Sequence, residues 1–299
     1  MTVNYKRSGF TLMEILTVVG IIALLVGVLL PAVSAVRRMA RDTKQRAQLT
    51  AIEIALTAFK NDYGDYPPSS WTPSTMAGNY CGAQKLAEAL VGRDLLGFHP
   101  KSAWSATDLT WYPDPAVADP TVYEANLKER RELYLELSMA NVFRLGNMSL
   151  VKPGLFPATS PLAPDTFVLC DVFAARNVIM PDRKIVKAGV PILYYKANES
   201  EKTIQRIYNV DDNDAIVALK EEIDRRGHPL GSGPFPLPFS NRLEFFYGNS
   251  DTTTGIIGYI QDPKVTARQW PYKSDSFILI SAGADGIYGT SDDICNFAR

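Results

Sequence analysis

The chain has 299 residues and a formal charge of −1, with 46% hydrophobic and 21% charged side chains. That length accommodates more than one structural unit, and the composition is ordinary for a folded protein. No excess of positive charge is available to grip nucleic acid over the whole surface, and no nucleic-acid partner is expected. Cys81, Cys170 and Cys295 lie far apart, match no zinc or redox spacing and allow at most one intrachain disulfide, so a cysteine is left over for a buried place. His99 and His228 stand alone in the sequence.

The N-terminal segment carries most of the information. Lys6 to Ile15 reads KRSGFTLMEI, and Ile15 to Val36 reads ILTVVGIIALLVGVLLPAVSAV, 22 residues without a charge. About 20 apolar residues in a helix span a bilayer. A secretory signal peptide has a shorter apolar core with its cleavage site after it. Here the polar signal comes first, so cleavage between Gly9 and Phe10 would leave the apolar run on the mature chain.

Residues 6 to 36 resemble the class III leader of type IV prepilins and of type II secretion pseudopilins. The likeness lies in the basic Lys6 and Arg7, Gly9 before Phe10, Thr11-Leu12, Glu14 four residues after Phe10, and Pro31 within the apolar run. It implies a leader over 1–9 removed by a prepilin peptidase, N-methylation of Phe10, a transmembrane helix over 10–36 and a periplasmic stem helix over 37–62. It also implies a globular head over 63–299 and a bacterial inner-membrane, single-pass chain. The subunit would assemble with its own copies into a helical filament on an inner-membrane secretion platform. An ordinary signal anchor is the simpler alternative, and it leaves Glu14 without a role.

A carboxylate in a membrane segment costs on the order of 2.5–3.5 kcal/mol on insertion scales, and no basic residue follows Glu14 until Arg37. Cleavage would create a cation at the Phe10 amine. The resemblance implies that Glu14 attracts the Phe10 amine of the preceding subunit, which would set axial register because another offset leaves both charges unpaired. Snorkelling of Glu14 to the headgroups is the alternative. Pro31 removes a backbone donor and is expected to kink or open the helix locally, and the resemblance implies local melting on assembly. Basic residues stand on both sides of the apolar run, with Arg37, Arg38, Arg41, Lys44 and Arg46 following it. Charge counting alone would keep the C-terminal side in the cytoplasm, whereas the resemblance places it in the periplasm.

Beyond the membrane segment, Leu49, Ile52, Leu56 and Phe59 recur at three- and four-residue steps and predict a helix with one buried stripe. Gly64 and Pro67-Pro68 predict its end, and Tyr63 to Pro67 resembles the helix exit of pseudopilins. Further helices are predicted over Gly82–Gly97, from Tyr123 to about Arg144, and over the NDAIVALKEEIDRRG run stopped by Gly227 and Pro229. A large insertion on a small head is expected over about 80–235. Strands are predicted at Thr166–Phe173, Val190–Ala197, Leu243–Tyr247, Ile256–Ile260 and Phe277–Ser281. The fold class is α+β, a long helix packed on a small antiparallel sheet with inserted helices, pilin-like.

The acidic loop over 281–295 begins SAGADGIYGTSDDI and places Asp285, Asp292 and Asp293 among three glycines. Glycines let carbonyls and carboxylates converge as a hard cation requires, and the donor set suits calcium better than zinc or iron. The loop resembles the calcium loop of the major type II secretion pseudopilin. Alternatively, these aspartates cap backbone amides of a turn-rich loop. No H-E-x-x-H, G-x-S-x-G or P-loop pattern occurs, and Gly231-Ser232-Gly233 lacks the setting of a nucleophile elbow. The expected function is that of a structural pseudopilus subunit in a type II secretion-like machine and not an enzyme. A surface pilin for adhesion or DNA uptake is the nearest alternative, and a membrane-tethered enzyme a remote one.

Overall fold

The computed structural model describes residues 11–71, 80–146, 162–163, 165–174, 176–180, 183–224, 227–231, 238–249 and 256–297. The chain divides into two compact units, Met1–Thr43 and Lys44–Arg299. One helix, α1 (Leu12–Tyr63), supplies the described secondary structure of the first unit and continues into the second.

Over Ile15 to Val36, within the first unit, α1 is apolar on every side and covered on none. Leu12, Ile15, Val18, Ile22, Leu25 and Leu29 are all exposed. This part of α1 is long and apolar enough to cross a membrane. The helix continues through Pro31, where Ser34 Oγ donates to the Pro31 carbonyl at 2.7 Å.

In the second unit the character of α1 changes. Gln45, Gln48, Leu49, Ile52, Ala55, Leu56 and Phe59 are buried, the single stripe that the 3.6-residue period predicts. Each fully buried Leu, Ile or Phe contributes roughly 1.5–3 kcal/mol. Two glutamines add directional contacts. Gln45 Oε1 accepts from Val172 N at 2.8 Å, and Gln48 Nε2 donates to the carbonyls of Ala140 and Cys170 at 3.2 and 2.9 Å. The helix stops at Tyr63, and Gly64 follows with φ +82°, a left-handed conformation that glycine adopts at little cost.

The stripe packs on α2 (Gly82–Val91), which is buried along all ten of its residues, and on the sheet. The sheet is antiparallel in the order β5–β6–β7, with β5 (Leu193–Lys196), β6 (Phe277–Ser281) and β7 (Ile294–Cys295). Leu193 pairs with Ile280 and Lys196 with Phe277. Two short antiparallel ladders accompany it: β1 (Val142–Arg144) with β2 (Phe167–Leu169), and β3 (Arg176–Ile179) with β4 (Ile185–Ala188). Segment 80–235 thus supplies both α2 and β5 to the core. A Cβ on Gly82 would lie 2.3 Å from the Tyr194 carbonyl, so only glycine lets α2 start this close to β5. The architecture is α+β, with a long apolar N-terminal helix and small antiparallel sheets.

Several predicted elements end elsewhere or change type. The helix predicted over Gly82–Gly97 stops at Val91, where Gly92 has φ +81°. The one predicted from Tyr123 to about Arg144 breaks into α3 (Pro120–Glu129), α4 (Leu137–Ala140) and strand β1. Pro120 opens α3 and Asp119 caps it by accepting from Thr121 N, and this shifts the helix upstream. Leu243–Tyr247, predicted as a strand, is helical. After α5 (Ile204–Ile207) and α6 (Asp214–Asp224), helix α7 runs Arg242–Tyr247, capped by Asn241 Oδ1 accepting from Glu244 N. Ile256–Ile260 forms one bridge, Gly248 to Ile257, and then a turn. No disulfide joins Cys81, Cys170 or Cys295, and Cys81 and Cys170 are buried.

The core also holds carboxyls. Asp171 is fully buried, accepts from Val190 N and Phe173 N at 3.1 and 3.0 Å, and has Ser281 Oγ 3.3 Å from Oδ2. Burial pushes its pKa up to about 8. Burial likewise raises Asp212 to about 6, and raises Glu88 on α2, whose oxygens accept from Tyr80 and Ser102. These groups keep a proton in the fold at pH values where the unfolded chain has lost it. Folding therefore takes up protons, and stability falls as pH rises from about 4 towards 8. The melting temperature of the full chain in detergent is expected to drop by several degrees across that window, at roughly 2–4 °C per kcal/mol. Asp171→Asn, whose amide resembles the protonated acid, should flatten the slope. An unchanged slope in that variant would show that Asp171 is ionised in the fold.

Candidate functional site

Three places in the chain were predicted to carry function, and the described residues bear on each differently. Gly9 and Phe10 lie outside them. Glu14 lies in the first turn of α1, and the acidic loop follows β6.

Glu14 has a partner that its sequence spacing could have announced. Thr11 N and Thr11 Oγ1 both donate to Glu14 Oε2 at 2.8 Å, and Glu14 N donates back to Thr11 Oγ1 at 3.3 Å. Thr11-x-x-Glu14 is therefore a capping box, which satisfies two of the donors that a helix N-terminus leaves open. The carboxylate also sits at the positive end of the helix dipole, an arrangement worth about 0.3–1 kcal/mol at exposed sites. Glu14 is consequently hydrogen-bonded within its own chain. A neutral Gln could keep the cap, because either Glu or Gln serves at that position, but it could not attract a cation.

The acidic loop curls as its glycines predict. Gly283, Gly286 and Gly289 have φ of +64°, +69° and +92°. At Gly283 a Cβ would lie 2.1 Å from the Asp292 carbonyl, so the loop closes there only with glycine. Closure brings Asp285 against Asp292. Asp285 N donates to Asp292 Oδ2 at 2.9 Å, Ile287 N donates to Asp285 Oδ1 at 2.8 Å, and Thr290 Oγ1 donates to Asp292 Oδ1 at 2.7 Å. Burial, and then contact with the Asp292 carboxyl, raises the Asp285 pKa. Burial acts to raise Asp292 as well, yet the hydrogen bonds from Thr290 and from the Asp285 amide hold it below the usual carboxylate range. The two carboxyls are thus pushed apart in acidity, with Asp285 the one that holds a proton more readily.

Asp293 is drawn to the other side of the turn. Its Oδ2 accepts from Gly289 N at 2.8 Å and from the Tyr259 hydroxyl. The structure thus brings together Asp285 and Asp292 but not Asp293, and all three accept from backbone amides of the loop, as the turn-cap alternative expects. Among the described residues no three His, Cys, Asp or Glu side chains gather as a group able to hold a metal ion.

His228 holds the loop from outside. Its Nδ1 accepts from Tyr288 N at 3.0 Å and its ring lies 5.6 Å from that of Tyr288, while the Tyr288 hydroxyl donates to the Pro191 carbonyl at 2.6 Å. An imidazole accepting at Nδ1 carries its proton on Nε2. Nothing in the spacing of His228 and Tyr288, sixty residues apart, signals this contact. His99 is also buried, with its ring stacked 4.9 Å from Trp111, and burial lowers its pKa.

Comparison with protein families, with curated proteins and with solved structures returns no match for this chain.

Proposed function

We propose that this chain is a structural subunit of a type II secretion-like pseudopilus. It is processed by a prepilin peptidase, held in the inner membrane by α1, and assembled with copies of itself into a periplasmic filament. The observation that carries this reading is the change of character along α1. A single uninterrupted helix is exposed and apolar over its first part, then presents one buried stripe to a folded unit. An apolar rod with no cover of its own needs lipid before assembly and neighbouring rods after it.

The KRSGFTLMEI run supports cleavage after Gly9. Intact-mass analysis of the native protein should show the loss of nine residues and the gain of one methyl group. Retention of Met1 in cells with an active prepilin peptidase would contradict the assignment.

Glu14 separates a pairing role from a cap. Glu14→Gln keeps the capping geometry with Thr11 and removes the charge, whereas Glu14→Ala removes both. Under the pairing role the two variants insert and are cleaved, and both assemble poorly. Normal filament yield from Glu14→Gln, with loss confined to Glu14→Ala, would assign Glu14 to capping alone.

Calcium completes the reading. Asp285 and Asp292, with carbonyls of the same loop, would hold the ion, which supplies the positive charge that their contact demands. Any ligand that binds only the folded state stabilises it, by about 2.7 kcal/mol at a hundredfold excess over Kd. The full chain in detergent should therefore melt several degrees higher in millimolar calcium than in chelator, magnesium should substitute poorly, and Asp292→Ala should abolish most of the difference. Equal melting of the unmodified chain in calcium and chelator would leave the aspartates as turn caps.

A further inference from the structure

A cavity of about 330 Å³ opens in the second unit, where α1 meets α4 and the ends of β2 and β4. Its walls include Lys44 and Gln48 of α1, Ser138 of α4, Asn141, Asp171 and Lys187 of β4. The volume falls at the small end of the range for small-molecule sites. Gln48, Asn141 and Asp171 are held in place by hydrogen bonds to backbone groups. Gln48 Nε2 and Asn141 Nδ2 both donate to the Cys170 carbonyl, and Asp171 accepts from Val190 N and Phe173 N.

The charge in the walls is one-sided. Lys44 and Lys187 are exposed, and neither makes an ion pair among the described residues. One carboxyl, Asp171, lines the cavity, and burial keeps it protonated up to a pH of about 8. Lys220, buried on α6, acts on that carboxyl in the opposite sense to burial but does not line the cavity. Glu136 accepts from Ser138 at 3.4 Å but does not line the cavity. At neutral pH the cavity is therefore a cationic recess lined by two exposed lysines and by Ser138, whose hydroxyl lies at a long 3.4 Å from Glu136.

We propose that this cavity binds a phosphate-bearing anion between Lys44 and Lys187. Lysine serves phosphate as a compact point charge. A phosphate monoester carries up to two charges and can satisfy both ammonium groups, whereas a carboxylate carries one. The cavity also leaves room for a substituent of about the size of glycerol. Exposed Leu137 and Met139 flank Ser138, and Met139 also lines the cavity. The same phosphate chemistry can come from a free ester or from a lipid headgroup. The lipid source rests on the membrane reading of α1, and the free source does not.

Two arms distinguish these sources. In the first, the full-length protein in phosphate-free detergent is titrated with inorganic phosphate and with glycerol phosphate, followed by ³¹P line width. In the second, it is reconstituted into phosphatidylcholine vesicles with or without phosphatidylglycerol, and broadening of the phosphatidylglycerol resonance is read. Saturable binding in the first arm identifies a free anion, and broadening in the second alone identifies a headgroup. In either case Lys44→Gln/Lys187→Gln should weaken the effect about tenfold or more, since a hydrogen bond to a charged group contributes roughly 1.5–3 kcal/mol. Both side chains are exposed, so the double variant should fold. Lys202→Gln/Lys264→Gln removes the same charge elsewhere and should leave binding unchanged. Absence of saturable binding in both arms, or equal weakening by the two double variants, would overturn the proposal.

Discussion

One helix with two kinds of surface is the constraint on which the rest of this structure depends. Over its first part α1 carries apolar side chains all round, which is tolerable only in lipid or against other apolar helices. From Gln45 onward it offers a single stripe, and the folded unit is built against that stripe. The transition is abrupt in sequence. Val36 ends the uncharged run and Arg37, Arg38, Arg41, Lys44 and Arg46 follow within ten residues. Such a boundary separates the basic side chains from the apolar run while the helix continues without a break.

Within the folded unit, the consequence is a core that must accept α1 closely. Gln45 and Gln48 bond to backbone groups of the segment 140–172, and α2 fills the space between the stripe and β5. Complete burial of α2 forces its polar residues into partnerships. Glu88 accepts from Tyr80 and Ser102, Lys85 donates to the Ser70 carbonyl, and Gln84 donates to Thr166. Removing one member of such a network costs more than the bond itself, because the remaining partner is left buried and unsatisfied. The acidic loop follows a similar logic at the end of β6. Glycines close it, His228 and Pro191 hold Tyr288, and the closure presses Asp285 against Asp292.

Legibility from sequence followed the range of the interactions involved. The stripe on α1, its end at Tyr63 and strand β6 were readable because each depends on local periodicity or on a glycine. LEFFY, Leu243 to Tyr247, defeated the reading because a short apolar run is compatible with a strand or a buried helix. The Asn241 cap was the available arbiter. Thr11-x-x-Glu14 was equally local, a capping box legible from its three-residue spacing. The ladder β3–β4, the contact of His228 with Tyr288 and the gathering of Lys44 with Lys187 depend on residues far apart in the chain. No spacing rule reaches them.

On the proposed membrane placement, the arrangement of basic residues and the resemblance to prepilins point to opposite sides for the folded unit. Protease treatment of intact spheroplasts expressing the full chain decides between them. A chain inserted as proposed loses residues 44–299 to external protease while the apolar part of α1 stays protected. Protection of the folded unit until the cells are lysed would place it in the cytoplasm and contradict the filament-subunit account.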